Sequence, residues 1–90
     1  EKRTPNSLDA DGLMLFERLC MLRIDIARNE NVPPYIVFSD KALTDMCIKR
    51  PHTKAEMLNV NGVGENKYER YGKEFLKCIK EHENQEDTHG

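Results

Sequence analysis

No uninterrupted apolar run in this sequence exceeds four residues, and the most strand-like of them, Tyr35-Ile36-Val37-Phe38, has no similar run to pair with. That feature removes two large classes of fold. A membrane-crossing helix takes ~20 apolar residues, and a lone strand leaves its backbone groups unpaired. Elsewhere the apolar residues recur three and four positions apart, the period of a helix that buries one face. Leu15, Leu19, Leu22 and Ile26 make such a stripe, widened by Phe16, on a helix expected over about residues 12–29. Arg18, Arg23 and Arg28 fall on its outer face, and Asp11 or Asp9 supplies the N-cap. Pro33 and Pro34 keep the chain from continuing as helix, because proline lacks a donor and disfavours helical geometry in the residue before it. Tyr35 to Phe38 is then a short extended or single-turn connector.

Ser39 caps the next helix, with Asp40 in its first turn and Leu43, Met46 and Cys47 facing inward. Arg50-Pro51 ends it. Thr53-Lys54-Ala55-Glu56 reads as a capping box for a short helix that buries Met57 and Leu58. Val60-Asn61-Gly62-Val63-Gly64 is a tight interhelical turn. A last helix is expected over about residues 65–82, with Tyr68, Tyr71, Phe75 and Ile79 on one face. Gly72 within it costs roughly 1 kcal/mol relative to Ala and predicts a kink or break. The pattern is all-α, a bundle of four or five helices. Three stretches follow from it: a flexible linker at 1–11, the helical domain at 12–82, and an acidic flexible tail at 83–90.

Ninety residues hold one modest core, since a chain of this size buries roughly 60–65% of its unfolded surface. No charged-then-apolar leader is evident, so an intracellular, membrane-free module is expected. Cys20, Cys47 and Cys78 lie too far apart for a CxxC or zinc-finger spacing and read as free thiols on helix faces. The net charge of -2 hides a division along the chain. Residues 12–80 carry twelve Lys/Arg against nine Asp/Glu, whereas residues 81–90 carry four acids and no Lys or Arg. The mildly basic part is the part expected to fold.

Catalytic signatures are missing: the sequence holds no P-loop, HExxH or GxSxG pattern. His52, His82 and His89 sit among polar residues and read as solvated. Asp9 and Asp11 read as capping carboxylates rather than a metal pair. Three features remain that suit nucleic acid. Asn61, Gly62 and Gly64 form a helix-hairpin-helix-type turn whose free N–H groups suit a phosphate, although the same glycines would serve equally to join two packed helices. Lys67, Arg70, Lys73, Lys77 and Lys80 fall within about a 140° sector of an ideal last helix, a surface for tracking phosphates or an ordinary solvated face. Tyr35 follows a rigid diproline and is either a platform for a single-stranded base or a core residue. Arg28 and Lys41 are the cations nearest to it in sequence on either side.

Several separated blocks occur together in order. They are Leu15-Phe16, then Asn31-Val32-Pro33-Pro34-Tyr35-Ile36-Val37-Phe38, Leu43, Met46, Arg50-Pro51, Met57-Leu58, and Asn61-Gly62-Val63-Gly64 with Lys67, Tyr71-Gly72 and Phe75. In this the chain resembles the HRDC (helicase and RNase D C-terminal) domain over about residues 13–80, in the version found at the C-terminus of bacterial RecQ helicases. The resemblance implies a compact five-helix bundle without catalytic residues, binding single-stranded or junction DNA weakly. It also implies a parent that is an ATP-dependent 3′-to-5′ helicase of repair and recombination, whose ATP, magnesium and zinc belong to other regions. A bacterial, cytoplasmic and nucleoid-associated setting and a monomeric module follow from it. In the family the strand contact centres on the tyrosine of the Val-Pro-Pro-Tyr block, here Tyr35. Two alternatives stay open: a module that docks on the helicase core or another protein, and a ribonuclease D-like parent.

Overall fold

The computed structural model describes residues 8–89, with side chains through residue 84. Of the flexible linker expected at 1–11, residues 1–7 lie outside that range, whereas Leu8 packs on the core and residues 10 and 11 already belong to the first helix. Helix α1 spans Ala10–Glu30, and Asp9 is its N-cap, accepting from the Gly12 N–H at 2.9 Å. Its far end closes on Asn31 in the left-handed region (φ 62), where the N–H groups of Asn31 and Val32 reach back to Ala27 and Arg28 carbonyls. Leu15, Leu19 and Ala27 are buried along it, with Phe16, Leu22 and Ile26 packed partly beside them. Arg23 is a correction to the expected outer face. Its side chain is only 13% exposed and turns toward the chain between the next two helices.

Pro34–Val37 is the single-turn helix α2, with Pro34 at a first position where a missing N–H costs nothing. Helix α3, Asp40–Lys49, starts at Ser39, whose hydroxyl accepts from the Ala42 N–H at 3.1 Å. It ends on Arg50 with φ 49, a conformation ordinary side chains avoid. Several bonds hold Arg50 there: its N–H to Met46, its Nε to Cys47, and its guanidinium to Asp11 and Glu83. Helix α4, Lys54–Leu58, is capped by Thr53, while Glu56 accepts from the His52 N–H at 2.7 Å rather than from Thr53 itself. Met57 is buried as expected, but Leu58 only partly.

The last helix does not end at Gly72 but changes form there. Helix α5, Glu65–Lys67, runs through a π-helical turn at Tyr68–Gly72 into helix α6, Lys73–His89. A Cβ at Gly72 would stand 2.8 Å from the Tyr68 ring, so the glycine makes room for that ring within the π turn, which interrupts the α-helical pattern where the sequence put a kink or break. The aromatic centre of the core is Phe38, edge-on to Phe75 at 4.9 Å and to Tyr71 at 6.2 Å. Among the described residues every regular element is helical, and no helix is long and apolar enough to cross a membrane.

Two further expectations are corrected at the opposite end of the molecule. His82 is not solvated. It is 5% exposed, with Nε2 3.1 Å from Asp11 and Nδ1 3.3 Å from the Arg18 guanidinium. Nor does the folded part stop at residue 82, because α6 continues and Glu83 is engaged by Arg50 and by His52. Charge pairing across three elements holds that turn in place. His52 is half exposed, and the side chain of His89 lies outside the described residues.

Candidate nucleic-acid interface

Alternation in Tyr35 to Phe38 leaves open which residues face out; the single helical turn settles it. Val37 and Phe38 are buried at 0% and 1%, while Tyr35 stands 68% exposed and Ile36 39% exposed. The two buried residues anchor α2, and the diproline fixes its entry. An aromatic ring beside an aliphatic neighbour is thus offered to solvent. Ile36 is the part of this surface that the sequence reading left unassigned.

Arg28, in the last turn of α1, and Lys41, in the first turn of α3, are exposed and form no ion pair with a described residue. Arg70 is exposed too, and its guanidinium lies 3.7 Å from Glu30 at the end of α1 and 5.7 Å from the Tyr71 ring. Lys73 is exposed and paired with Glu69 at 3.3 Å. Lys67 departs from the expectation altogether. Lys67 lies ahead of the π turn at Tyr68–Gly72, and Lys73, Lys77 and Lys80 follow it on α6. The Lys67 ammonium donates to the Ile36 carbonyl and, at 3.0 Å, to the Val37 carbonyl, above the Phe38 and Tyr71 rings.

The glycine turn is also more occupied than its sequence suggests. The Asn61 N–H donates to the Asp45 carboxylate at 2.8 Å, so that donor is already taken. Lys49 bridges Asp45 and the Asn59 carbonyl, binding the turn to α3. Gly62 has φ +87 and packs against Ala42, where a Cβ would come within 3.3 Å. Gly64 is extended and exposed, with open space where a side chain would be. These are the contacts of a packed interhelical joint. The end of α1, α2 and the π turn therefore converge through Arg70–Glu30 and Lys67–Ile36, while Asn61 and Gly62 belong to a separate contact with α3.

The three cysteine thiols are all disfavoured as thiolates. Burial pushes the Cys47 thiol up to about 12, against the opposing pull of Arg50, and burial also raises Cys20 and Cys78. No group of three or more His, Cys, Asp or Glu side chains could hold a metal ion among the described residues.

Known proteins share both the sequence and this architecture. The model of the HRDC domain family matches residues 12–79. The ATP-dependent DNA helicase RecQ of Pasteurella multocida is 52% identical over 68 residues, covering 76% of this chain and 11% of the helicase. RecQ of Bacillus subtilis is 49% identical over 65 residues, covering 72% of this chain and 11% of its own length. The chain thus spans about a tenth of the relatives it matches. A solved structure, the D. radiodurans RecQ HRDC domain 3, superposes with a TM-score of 0.73 at 31% identity, covering 76% of this chain and 90% of that one. With sequence blocks, helix order and superposed backbone in agreement, the chain belongs to the HRDC domain family.

Proposed function

We propose that this chain is the accessory DNA-binding module of a bacterial, cytoplasmic RecQ-type 3′-to-5′ helicase, binding single-stranded or junction DNA weakly and tuning which substrates the parent unwinds in repair and recombination. ATP, magnesium and zinc would be held by regions of the parent outside this chain. The observation that carries the reading is Tyr35, 68% exposed on a turn fixed by the diproline and two buried neighbours. Proteins that hold single strands without reading sequence stack bases on such rings, at roughly 1–3 kcal/mol per base. Arg28 and Lys41 flank the turn as cations for the backbone. Binding is weak and salt-dependent because few cations are free to neutralise phosphate, and no element is shaped to enter a groove and read base edges.

Titration of labelled oligothymidylate into the chain and its Tyr35→Ala variant tests this. The expected result is a loss of affinity of roughly tenfold, the lower part of the stacking range, with the melting temperature nearly unchanged because an exposed ring contributes little to the core. Unchanged affinity in a stable variant removes Tyr35 from the site.

One observation favours a second reading, docking on the helicase core or another protein. Leu13, Met14, Met21 and Ile24 are exposed along one side of α1, and Met14 and Met21 flank a shallow cavity of about 320 Å³ with Glu17, Arg18 and His82. Exposed apolar side chains grouped in this way mark interaction surfaces. That the relatives above are helicases favours a helicase parent over a ribonuclease D-like one.

A further inference from the structure

Helix α2 is one turn long, and a turn that short cannot hold itself in water. Its internal bonds are few: the Ile36 N–H to the Pro33 carbonyl at 3.0 Å and the Phe38 N–H to the Pro34 carbonyl at 3.4 Å. The carbonyls at its C-terminal end have no helical partner, as at any helix end. Two cations take them. Lys67 donates to the Ile36 and Val37 carbonyls, and Arg23 donates to the Phe38 carbonyl at 2.9 Å while pairing with Asp40 at 2.9 Å. One cation comes from α1 and the other from α5, so the turn is gripped from two sides. Three successive carbonyls end in charge-assisted bonds, the stronger kind. Positive charge at a helix C-terminus also opposes the negative pole of the backbone dipoles.

We infer that Lys67 and Arg23 form a clamp that positions Tyr35, and that Lys67 acts on DNA through this clamp rather than by touching phosphate. The inference rests on the reading of Tyr35 as a base platform. Lys67 has its ammonium turned into the fold, over the Phe38 and Tyr71 rings at 5.7 and 5.9 Å. Without it the carbonyls of Ile36 and Val37 must find water, and the turn that presents the ring loosens.

The test compares Lys67→Met, Lys67→Arg, Tyr35→Ala and the double variant Tyr35→Ala/Lys67→Met in the whole chain. Methionine keeps an apolar stem over the two rings and removes the charge; arginine restores a cation. A measurement without DNA comes first. Amide exchange at Ile36 and Phe38 is expected to quicken by roughly tenfold or more in Lys67→Met, while Ile79 in the core keeps its rate. Unchanged exchange at those amides overturns the clamp whatever DNA does. Titration with labelled oligothymidylate at several salt concentrations then separates the two routes to affinity. A clamp predicts weaker binding in Lys67→Met with an unchanged salt slope, no further loss in the double variant beyond Tyr35→Ala, and recovery in Lys67→Arg. A slope smaller by about one phosphate contact, or losses that add in the double variant, makes Lys67 a direct contact and overturns the inference. If exchange quickens in Lys67→Met but Tyr35→Ala binds normally, the binding reading fails and the clamp stands.

Discussion

Cys47 shows how one buried side chain links this fold to pH. Its thiol is held neutral by burial, at about 12 against an ordinary 9.0, and the Arg50 charge reduces the effect without cancelling it. The folded value lies above the unfolded one, so the thiol's contribution to stability is complete below pH 9 and is lost as pH rises through about 12. The expected outcome is a melting temperature that falls through that alkaline window and falls less in Cys47→Ala, measured against the same variant at neutral pH. An identical alkaline slope in both proteins would exclude the thiol as its source. The sequence already placed Cys47 on an inward helix face, and the stripe of Leu15 and Leu19 was equally legible, because local period decides such positions. His82 was not legible. Its neighbours Glu81 and Glu83 are polar, and its partner Asp11 lies 71 residues away, a distance no local pattern spans. Tyr35 falls between these cases: the diproline pointed to a presented residue, but only the turn of α2 determined which side chains face out.

At the scale of helices, starts are written in the sequence, whereas the form of an interruption is not. Ser39 and Thr53 cap the helices they were expected to cap, since a side-chain oxygen one residue ahead of a helix meets its own orphan N–H groups. Gly72 marks an interruption whose form the sequence does not show. Propensity sees a helix-breaking residue, whereas the fold uses the absent Cβ to seat Tyr68 within a π turn. Lys67, just ahead of that turn, bonds the carbonyls of α2, a long-range contact that a helical wheel cannot represent. Gly72→Ala therefore opposes two effects. Alanine gains roughly 1 kcal/mol of helix propensity, but its Cβ would stand 2.8 Å from the ring of a tyrosine only 7% exposed. The contacted atoms are Cβ, Cγ and Cδ1, near the root of the side chain, so the ring cannot simply swing away. Overpacking of this kind costs about 1–3 kcal/mol, and the expected net result is a lower melting temperature. A more stable Gly72→Ala protein would show that the π turn relaxes to α-helix without loss.

Across the whole molecule, charge is divided between two ends with different work. At one end Lys67 and Arg23 hold the turn that carries Tyr35. At the other, Asp11 joins Arg50 and His82, and Arg50 joins Glu83, tying the start of α1, the end of α3 and α6 together. Burial alone would pull the Arg50 pKa down, but the hydrogen bonds its guanidinium donates to Asp11 and Glu83, with the charges of those carboxylates, raise it above its ordinary value. The acidic end of the chain thus has two parts, and cutting at two places separates them. A chain ending at Asn84 loses Glu86 and Asp87 but keeps His82 and Glu83. Its melting temperature should stay close to that of the whole chain, and its affinity for oligothymidylate at low salt should rise slightly, since two negative charges are gone and exposed charges act over about a Debye length. A chain ending at Lys80 loses the pairing residues as well, leaving Asp11 and Arg50 with fewer partners in a half-buried site. Stranding such groups costs about 1–3 kcal/mol, which for a domain of this size lowers the melting temperature by on the order of 10 °C. Thermal melts of the two truncations, with anisotropy titrations beside them, read both effects. Equal melting temperatures would show that the contacts of His82 and Glu83 with Asp11 and Arg50 add nothing to stability, and unchanged affinity in the chain ending at Asn84 would place the last acidic residues away from the bound strand.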